Sequence, residues 1–379
     1  MSGKRSIFEE VDATKAETAT AAPRPIGRDD TTHRKQIGRW LFALFLLVVV
    51  MILVGGLTRL TDSGLSITEW KPVTGAIPPL SAAAWDAEFT KYKAIPEFQL
   101  QNSAMTLAEF KTIYWWEWGH RQLGRLIGLV WAVGFVWFLV KKAVPRGWVP
   151  RLLLLGALGG LQAVIGWSMV SSGLSGERVD VASYWLAVHL GLAFAILACI
   201  LWFMFLIRRP EMELFQARRR KEQALIAPAN ILTGLVFAQI VLGALVAGLD
   251  AGRGYIDWPL MGGEFLPSEA FNETPLWRNF VENEALTQFN HRILAYVLLA
   301  VAVWVFLKAR ASALTAVQAN FKWALIFIVA QAVVGIITVM NAAPLTIALF
   351  HQLGAILVWV IVLRARFEVY YPGVQSIRG

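Results

Sequence analysis

The chain has 379 residues, 57% hydrophobic and 16% charged, whereas a soluble domain carries about 25% charged residues. The formal charge is +9 at pH 7, but the basic residues cluster beside every second apolar run, which marks membrane topology and argues against a nucleic-acid partner. A single cysteine, Cys199, rules out an intramolecular disulfide, a Cys-rich zinc site and a Cys-ligated iron–sulfur cluster.

In chain order, residues 1–39 are polar, contain Pro23 and Pro25, and show no cleavable signal pattern before Trp40. They are expected to form a disordered tail. Eight runs then approach the roughly 20 apolar residues that cross a bilayer as helix. They are Trp40–Leu60, Trp118–Val140, Leu152–Ser172, Tyr184–Ile207, Pro228–Leu249, Thr287–Leu307, Phe321–Met340 and Leu345–Leu363. The sixth begins with Gln288, Asn290, His291 and Arg292, polar groups that need a bundle interior or a ligand.

The expected fold is an all-α integral membrane protein of eight transmembrane helices. Its N-terminal four-helix bundle spans 40–207, with a long loop at 61–117. A linker at 208–227 leads to a second bundle at 228–366 and a tail at 367–379. Basic residues mark the first tail (Arg34, Lys35, Arg39), the 2–3 loop (Lys141, Lys142, Arg146, Arg151), the 4–5 loop (Arg218, Arg219, Arg220, Lys221), the 6–7 loop (Lys308, Arg310) and the C-terminus (Arg364, Arg366). Positive-inside bias therefore places both termini in the cytoplasm and the loops 61–117 and 250–286 outside.

The two halves align without gaps. Gly55-Gly56-Leu57, Asp62, Gly64 and Glu69-Trp70 match Gly243-Ala244-Leu245, Asp250, Gly252 and Asp257-Trp258. Gln162–Gly166 matches Gln331–Gly335, and His120-Arg121 matches His291-Arg292. His189-Leu190-Gly191 pairs less cleanly with His351-Gln352-Leu353-Gly354. Each half has an even number of spans, so the copies keep one orientation: two pseudo-symmetric bundles in a parallel repeat.

Of the five histidines, His33 lies in the tail. His120, His189, His291 and His351 all fall in even-numbered spans, near their outer ends. A lone membrane histidine is usually an interhelical hydrogen-bonding group, but four at repeat-equivalent positions point to ligation. Zinc or copper would want three or four converging ligands. Two imidazoles per bundle suit the axial positions of a haem. Gly124, Gly128, Gly191 and Gly354 could admit a flat macrocycle or serve close helix packing. Arg121 and Arg292 could bind haem propionates through paired N–H groups or snorkel to the interface.

The halves differ at one position with chemical weight. Glu117 lies three residues before His120 and on the same helical face; its counterpart is Gln288. A carboxyl group can take up and deliver protons, an amide cannot. The asymmetry suggests that the first half handles substrate and the second holds a permanent haem.

The sequence resembles the haem A synthases of proteobacteria and mitochondria over essentially all of residues 40–366. The most specific stretches are Gly55–Ser66, Glu69-Trp70-Lys71-Pro72 continuing to Pro78-Pro79, Trp116–Arg125, Asn290-His291-Arg292 and His351-Gln352-Leu353-Gly354. The resemblance implies oxidation of the C8 methyl group of haem O to a formyl through successive hydroxylations. It implies haem b as cofactor on His291 and His351, with Arg292 beside them. It implies haem O as substrate on His120 and His189, with Arg121 beside them, and a required carboxylate at Glu117. Some bacterial members carry a cysteine pair in the first outer loop; this chain has no cysteine between Thr61 and Glu117.

Expected partners are membrane lipid, a haem O synthase that donates the substrate, an electron donor, terminal-oxidase assembly factors and a second copy of the chain. The expected location is a bacterial inner membrane. A bis-histidine two-haem cytochrome taking electrons from a quinol is the alternative.

Overall fold

The computed structural model describes residues 28–374 apart from Glu177, with side chains from residue 31 onward. Among the described residues, eight helices are long and apolar enough to cross a membrane. They are α1 (Arg28–Leu60), α2 (Leu107–Val140), α3 (Val149–Gly173), α4 (Ser183–Ile207), α5 (Gln223–Gly248), α6 (Glu284–Ala309), α7 (Thr315–Met340) and α8 (Leu345–Tyr370).

Several ends differ from the sequence expectation, chiefly by lengthening. The tail expected at 1–39 gives up 28–39 to α1, where Ile37 is fully buried and Arg34 donates to the Arg209 carbonyl at 3.3 Å. Residues 1–27 lie outside the described part. The loop expected at 61–117 gives up 107–117 to α2, which starts at a capping box. Thr106 Oγ1 accepts from the Glu109 backbone N–H, and Glu109 in turn accepts from the Thr106 N–H. The linker at 208–227 contains a helix at Glu211–Arg219 and the first turn of α5. The tail at 367–379 begins as the last turn of α8, because Phe367, Glu368 and Val369 are buried there.

The helices pack as two rings. In the first, α1 touches α2, α2 touches α3, α3 touches α4, and α4 returns to α1; α5 to α8 repeat this order. The rings meet through α1 with α8, α4 with α5, and α4 with α8. That places α4 at the centre and explains why it is the most buried span. A core of Ile37, Leu41, Phe194, Leu197, Leu232 and Phe367 runs through this seam. Indole N–H groups, costly to leave unpaired away from water, donate to helix carbonyls. Trp40 reaches Val130 at 2.9 Å, Trp131 reaches Leu152 at 3.0 Å and, across the seam, Trp359 reaches Phe194 at 3.0 Å.

The α1–α2 connection is a folded unit. Its helices Ala82–Lys93 and Pro96–Leu100 enclose Trp85, Phe89, Tyr92 and Ile95, and pack on Phe110 and Tyr114 of α2. The α5–α6 connection combines turns with short helical segments at Ser268–Phe271, Leu276–Arg278 and Asn279–Glu282, and the Asp257 carboxylate accepts from the N–H groups of Gly262 and Gly263 at 2.8 and 3.0 Å. Both α1 and α5 end in an aspartate with left-handed backbone, Asp62 at φ 47° and Asp250 at φ 51°. Aspartate tolerates that conformation better than most residues because its short side chain can bond locally.

Candidate functional site

The four membrane histidines sit on α2, α4, α6 and α8, all half-buried. His189, His291 and His351 lie six or seven residues past the first residue of their helices. His120 lies thirteen residues into α2, or roughly 20 Å at 1.5 Å per residue. His120 thus lies farther from the start of its helix than the other three, because α2 extends back to Leu107 beside the folded loop. The histidines divide between the two rings of helices, His120 and His189 on α2 and α4 of the first, His291 and His351 on α6 and α8 of the second.

Each ring rests on a glycine of a neighbouring helix. A Cβ at Gly55 would lie 3.4 Å from the His120 ring, at Gly166 2.7 Å from His189, at Gly243 3.1 Å from His291 and at Gly335 3.0 Å from His351. Contacts tighter than about 3.4 Å are rare for real side chains, so α3, α5 and α7 are shaped to receive an imidazole, while a side chain at Gly55 of α1 would make ordinary contact with His120. The glycines first considered for macrocycle access behave differently. The space at Gly354 is taken by the Gln331 amide, Gly191 packs on Val241 and Phe237, and Gly124 faces Met51; only Gly128 faces open space.

Three glutamines complete the histidine seats. Gln162 donates to the His189 carbonyl at 2.9 Å, Gln239 to the His291 carbonyl at 3.0 Å and Gln331 to the His351 carbonyl at 2.7 Å. Each amide also approaches its ring, at 3.4 Å from His189 Nε2 and 3.1 Å from Nδ1 of both His291 and His351. Sequence reasoning gave these residues no role. The spacing Gln-x-x-x-Gly, at 162/166, 239/243 and 331/335, is the signal that could have found them.

Glu117 is buried and accepts from four donors. Oε2 takes Ser66 Oγ at 2.8 Å and the Ile67 N–H at 2.7 Å; Oε1 takes Arg121 Nε at 3.0 Å and Nη2 at 2.6 Å. Arg121 also donates to the carbonyls of Ile67 at 2.7 Å and Glu69 at 3.0 Å. In the second half Arg292 reaches the aligned carbonyls of Tyr255 at 3.0 Å and Asp257 at 2.9 Å. There Gln288 accepts from Arg292 at 3.0 Å and donates to the carbonyls of Ala251 and Tyr255 at 2.8 and 3.1 Å. The loop thus turns the Ile67 N–H and the Ser66 hydroxyl toward Glu117, and C=O groups toward Gln288. The exchange of carboxylate for amide is matched by its surroundings.

The donor set fits haem. Among the described residues no group of three or more His, Cys, Asp or Glu could hold a metal ion, whereas paired imidazoles from facing helices suit two axial positions. The ring nitrogen Nδ1 of His189 and Nε of Arg292 are buried without a partner, polar atoms that a bound group with carboxylates and a metal could engage. Beside Arg121 a cleft of about 350 Å³ opens, lined by Gly75, Pro78, Pro79, Tyr114 and Arg125. It lies between the α1–α2 connection and α2.

Comparison with known proteins agrees with this chemistry. Residues 38–363 match the COX15-CtaA family model, described as cytochrome oxidase assembly protein. The chain is 57% identical to the heme A synthase of Dinoroseobacter shibae over 100% of its own length and 99% of that protein. It is 56% identical to the heme A synthase of Ruegeria sp. strain TM1040 and 54% identical to that of Paracoccus denitrificans, each over 99% of both chains. With the family model covering most of the chain and the relatives covering all of it, the protein belongs to the heme A synthase family of cytochrome oxidase assembly proteins.

Proposed function

We propose that the chain is a membrane oxidoreductase that converts haem O to haem A by oxidising the C8 methyl group to a formyl group through successive hydroxylations. The observation that carries this reading is a chemical inequality between the two histidine sites: Glu117 with its ring of donors in one, Gln288 in the other. The relatives named heme A synthase support it. A wire of two equivalent haems would have no use for that inequality, so the cytochrome reading is the weaker one.

In this reading His120 and His189 hold the substrate haem O, and His291 and His351 hold haem b. When bound there, haem b supplies one-electron redox chemistry. The residues of the chain bind, orient and move protons. Glu117 exchanges a proton at its carboxylate oxygens, with the Ser66 hydroxyl as its nearest relay. Arg121 and Arg292 hold the two loops against the histidine helices and supply positive charge for haem propionates, with the unpaired Arg292 Nε free to take one. The folded α1–α2 loop covers the first site.

The parallel duplication belongs to this reading, supported by the aligned contacts of Arg121 and Arg292. Both termini then face the cytoplasm of a bacterial inner membrane, with the haem sites toward the outer side. Substrate arrives from a haem O synthase, electrons come from a membrane donor, and the product goes to terminal-oxidase assembly.

Extracting the pigments of the purified protein and weighing them tests the proposal. Haem b together with haem O, its C8 alcohol or haem A is the expected outcome. Two equivalents of unmodified haem b per chain would contradict it.

A further inference from the structure

Three membrane histidines are held by one device, and the fourth is not. On α3, α5 and α7 a glutamine stands four residues before the glycine that receives the ring, so one helical face supplies both seat and clamp. A primary amide has two N–H donors and one acceptor. It can hold the carbonyl of the ligand residue and face the imidazole at the same time. Gly354 leaves the room this requires at His351, since a Cβ there would lie 2.0 Å from Gln331 Oε1.

On α1 the position four residues before Gly55 is Met51. A thioether has no N–H to donate, and Met51 turns its terminal carbon toward Gly124. The ring of His120 is also turned differently. Its Nε2 lies nearest Gly55, whereas the other three rings present Cε1 to their glycines. Among the described residues the His120 ring has no hydrogen-bond partner, while each of the other rings has a glutamine amide against it.

We propose that Gln162, Gln239 and Gln331 are positioning residues that fix the imidazoles of His189, His291 and His351, and that Met51 leaves His120 as the one unclamped ligand, through which the exchanged haem is released. The inference rests on the reading of the two histidine pairs as haem ligands. A site with two clamped imidazoles suits a resident cofactor. A site with one clamped and one free imidazole can hold a haem in place for reaction and still let it go. Groups that orient a metal-bound histidine typically change metal affinity by about 10–100-fold when removed, enough to separate a resident haem from a transient one.

The test uses the full-length protein in detergent micelles and apomyoglobin as haem acceptor. Gln239→Met and Gln331→Met each install the side chain that α1 already carries. Both are expected to speed loss of the second-half haem b by about tenfold or more and to change its low-spin electron paramagnetic resonance signal and reduction potential. For the first half, His291→Ala with His351→Ala empties the second site, and haem b is added as the probe. In that protein Met51→Gln is expected to slow release by about tenfold.

Unchanged release rates and spectra in both glutamine variants would overturn the clamp. A response there with no effect of Met51→Gln would overturn release through His120. Should the double alanine protein keep its native haem b, the assignment of the histidine pairs fails instead, a result read before any clamp variant is made.

Discussion

A methyl group at Gly166 would lie 2.7 Å from His189 Cε1, whereas one at Gly55 would lie 3.4 Å from His120 Nε2. Overpacking of this kind costs about 1–3 kcal/mol, so Gly166→Ala should disturb its histidine more than Gly55→Ala, visible as a larger loss of bound haem from the first site. Equal losses would show that the glycines are not the seats. At Glu117 the expectation is chemical. Glu117→Gln should retain haem b and lower haem A formation by about 10²–10⁴-fold, the usual worth of a general acid–base group, with haem O or its alcohol accumulating; normal output would remove Glu117 from the chemistry. The histidines could be singled out in the sequence because ligating groups are rare in apolar spans, and Glu117 because Gln288 stands at the aligned position. Gln239 could not, because one amide in a membrane helix has an ordinary interhelical role, and only its distance to the His291 carbonyl, 3.0 Å, gives it a specific one.

Among the elements, the apolar middles of all eight spans were readable from hydropathy, and their ends were not. Hydropathy reports where lipid begins, but α2 continues past that point because Thr106 and Glu109 cap it and Phe110 and Tyr114 bury against the loop. The loop itself is stabilised by an aromatic core that its polar composition conceals. Within that core Glu97 is 3% exposed, with one carboxylate oxygen unpartnered. Burial, with the charges of Asp180, Asp62 and Glu117 close by, pushes its carboxyl up to about 8, while the Tyr92 hydroxyl acts in the opposite direction. An unfolded glutamate titrates near about 4.3. The folded loop therefore holds this proton more tightly than the unfolded chain does. The stabilisation is fully present below the unfolded value and is lost as pH rises through about 8. Proteolysis of the α1–α2 loop should accordingly become faster between pH 6 and 9, and Glu97→Gln should flatten that dependence; a wild-type loop insensitive to pH would refute the account of Glu97.

At the scale of the whole molecule, two rings of helices are joined by a hydrophobic seam and, at the loop end, by Arg59. Its guanidinium reaches Asp62 at 2.9 Å on its own half, Asp250 of the other half at 2.6 Å and Asp180 at 3.6 Å. The Arg59 side chain is only 10% exposed, and a hydrogen bond to a charged group is worth about 1.5–3 kcal/mol. Arg59→Gln should lower the thermal unfolding midpoint in detergent with the haem ligands intact, and an unchanged midpoint would show that Arg59 does not help to join the halves. The glycines and histidines that align between the halves were visible in sequence, but the central position of α4 was not, since hydropathy cannot distinguish a span facing protein from one facing lipid. The division of labour between the rings is tested most directly by the haem content of two single variants. His351→Ala should lose haem b, while His120→Ala should keep haem b in full and make no haem A; equal loss of haem b from both would contradict two sites with different tasks.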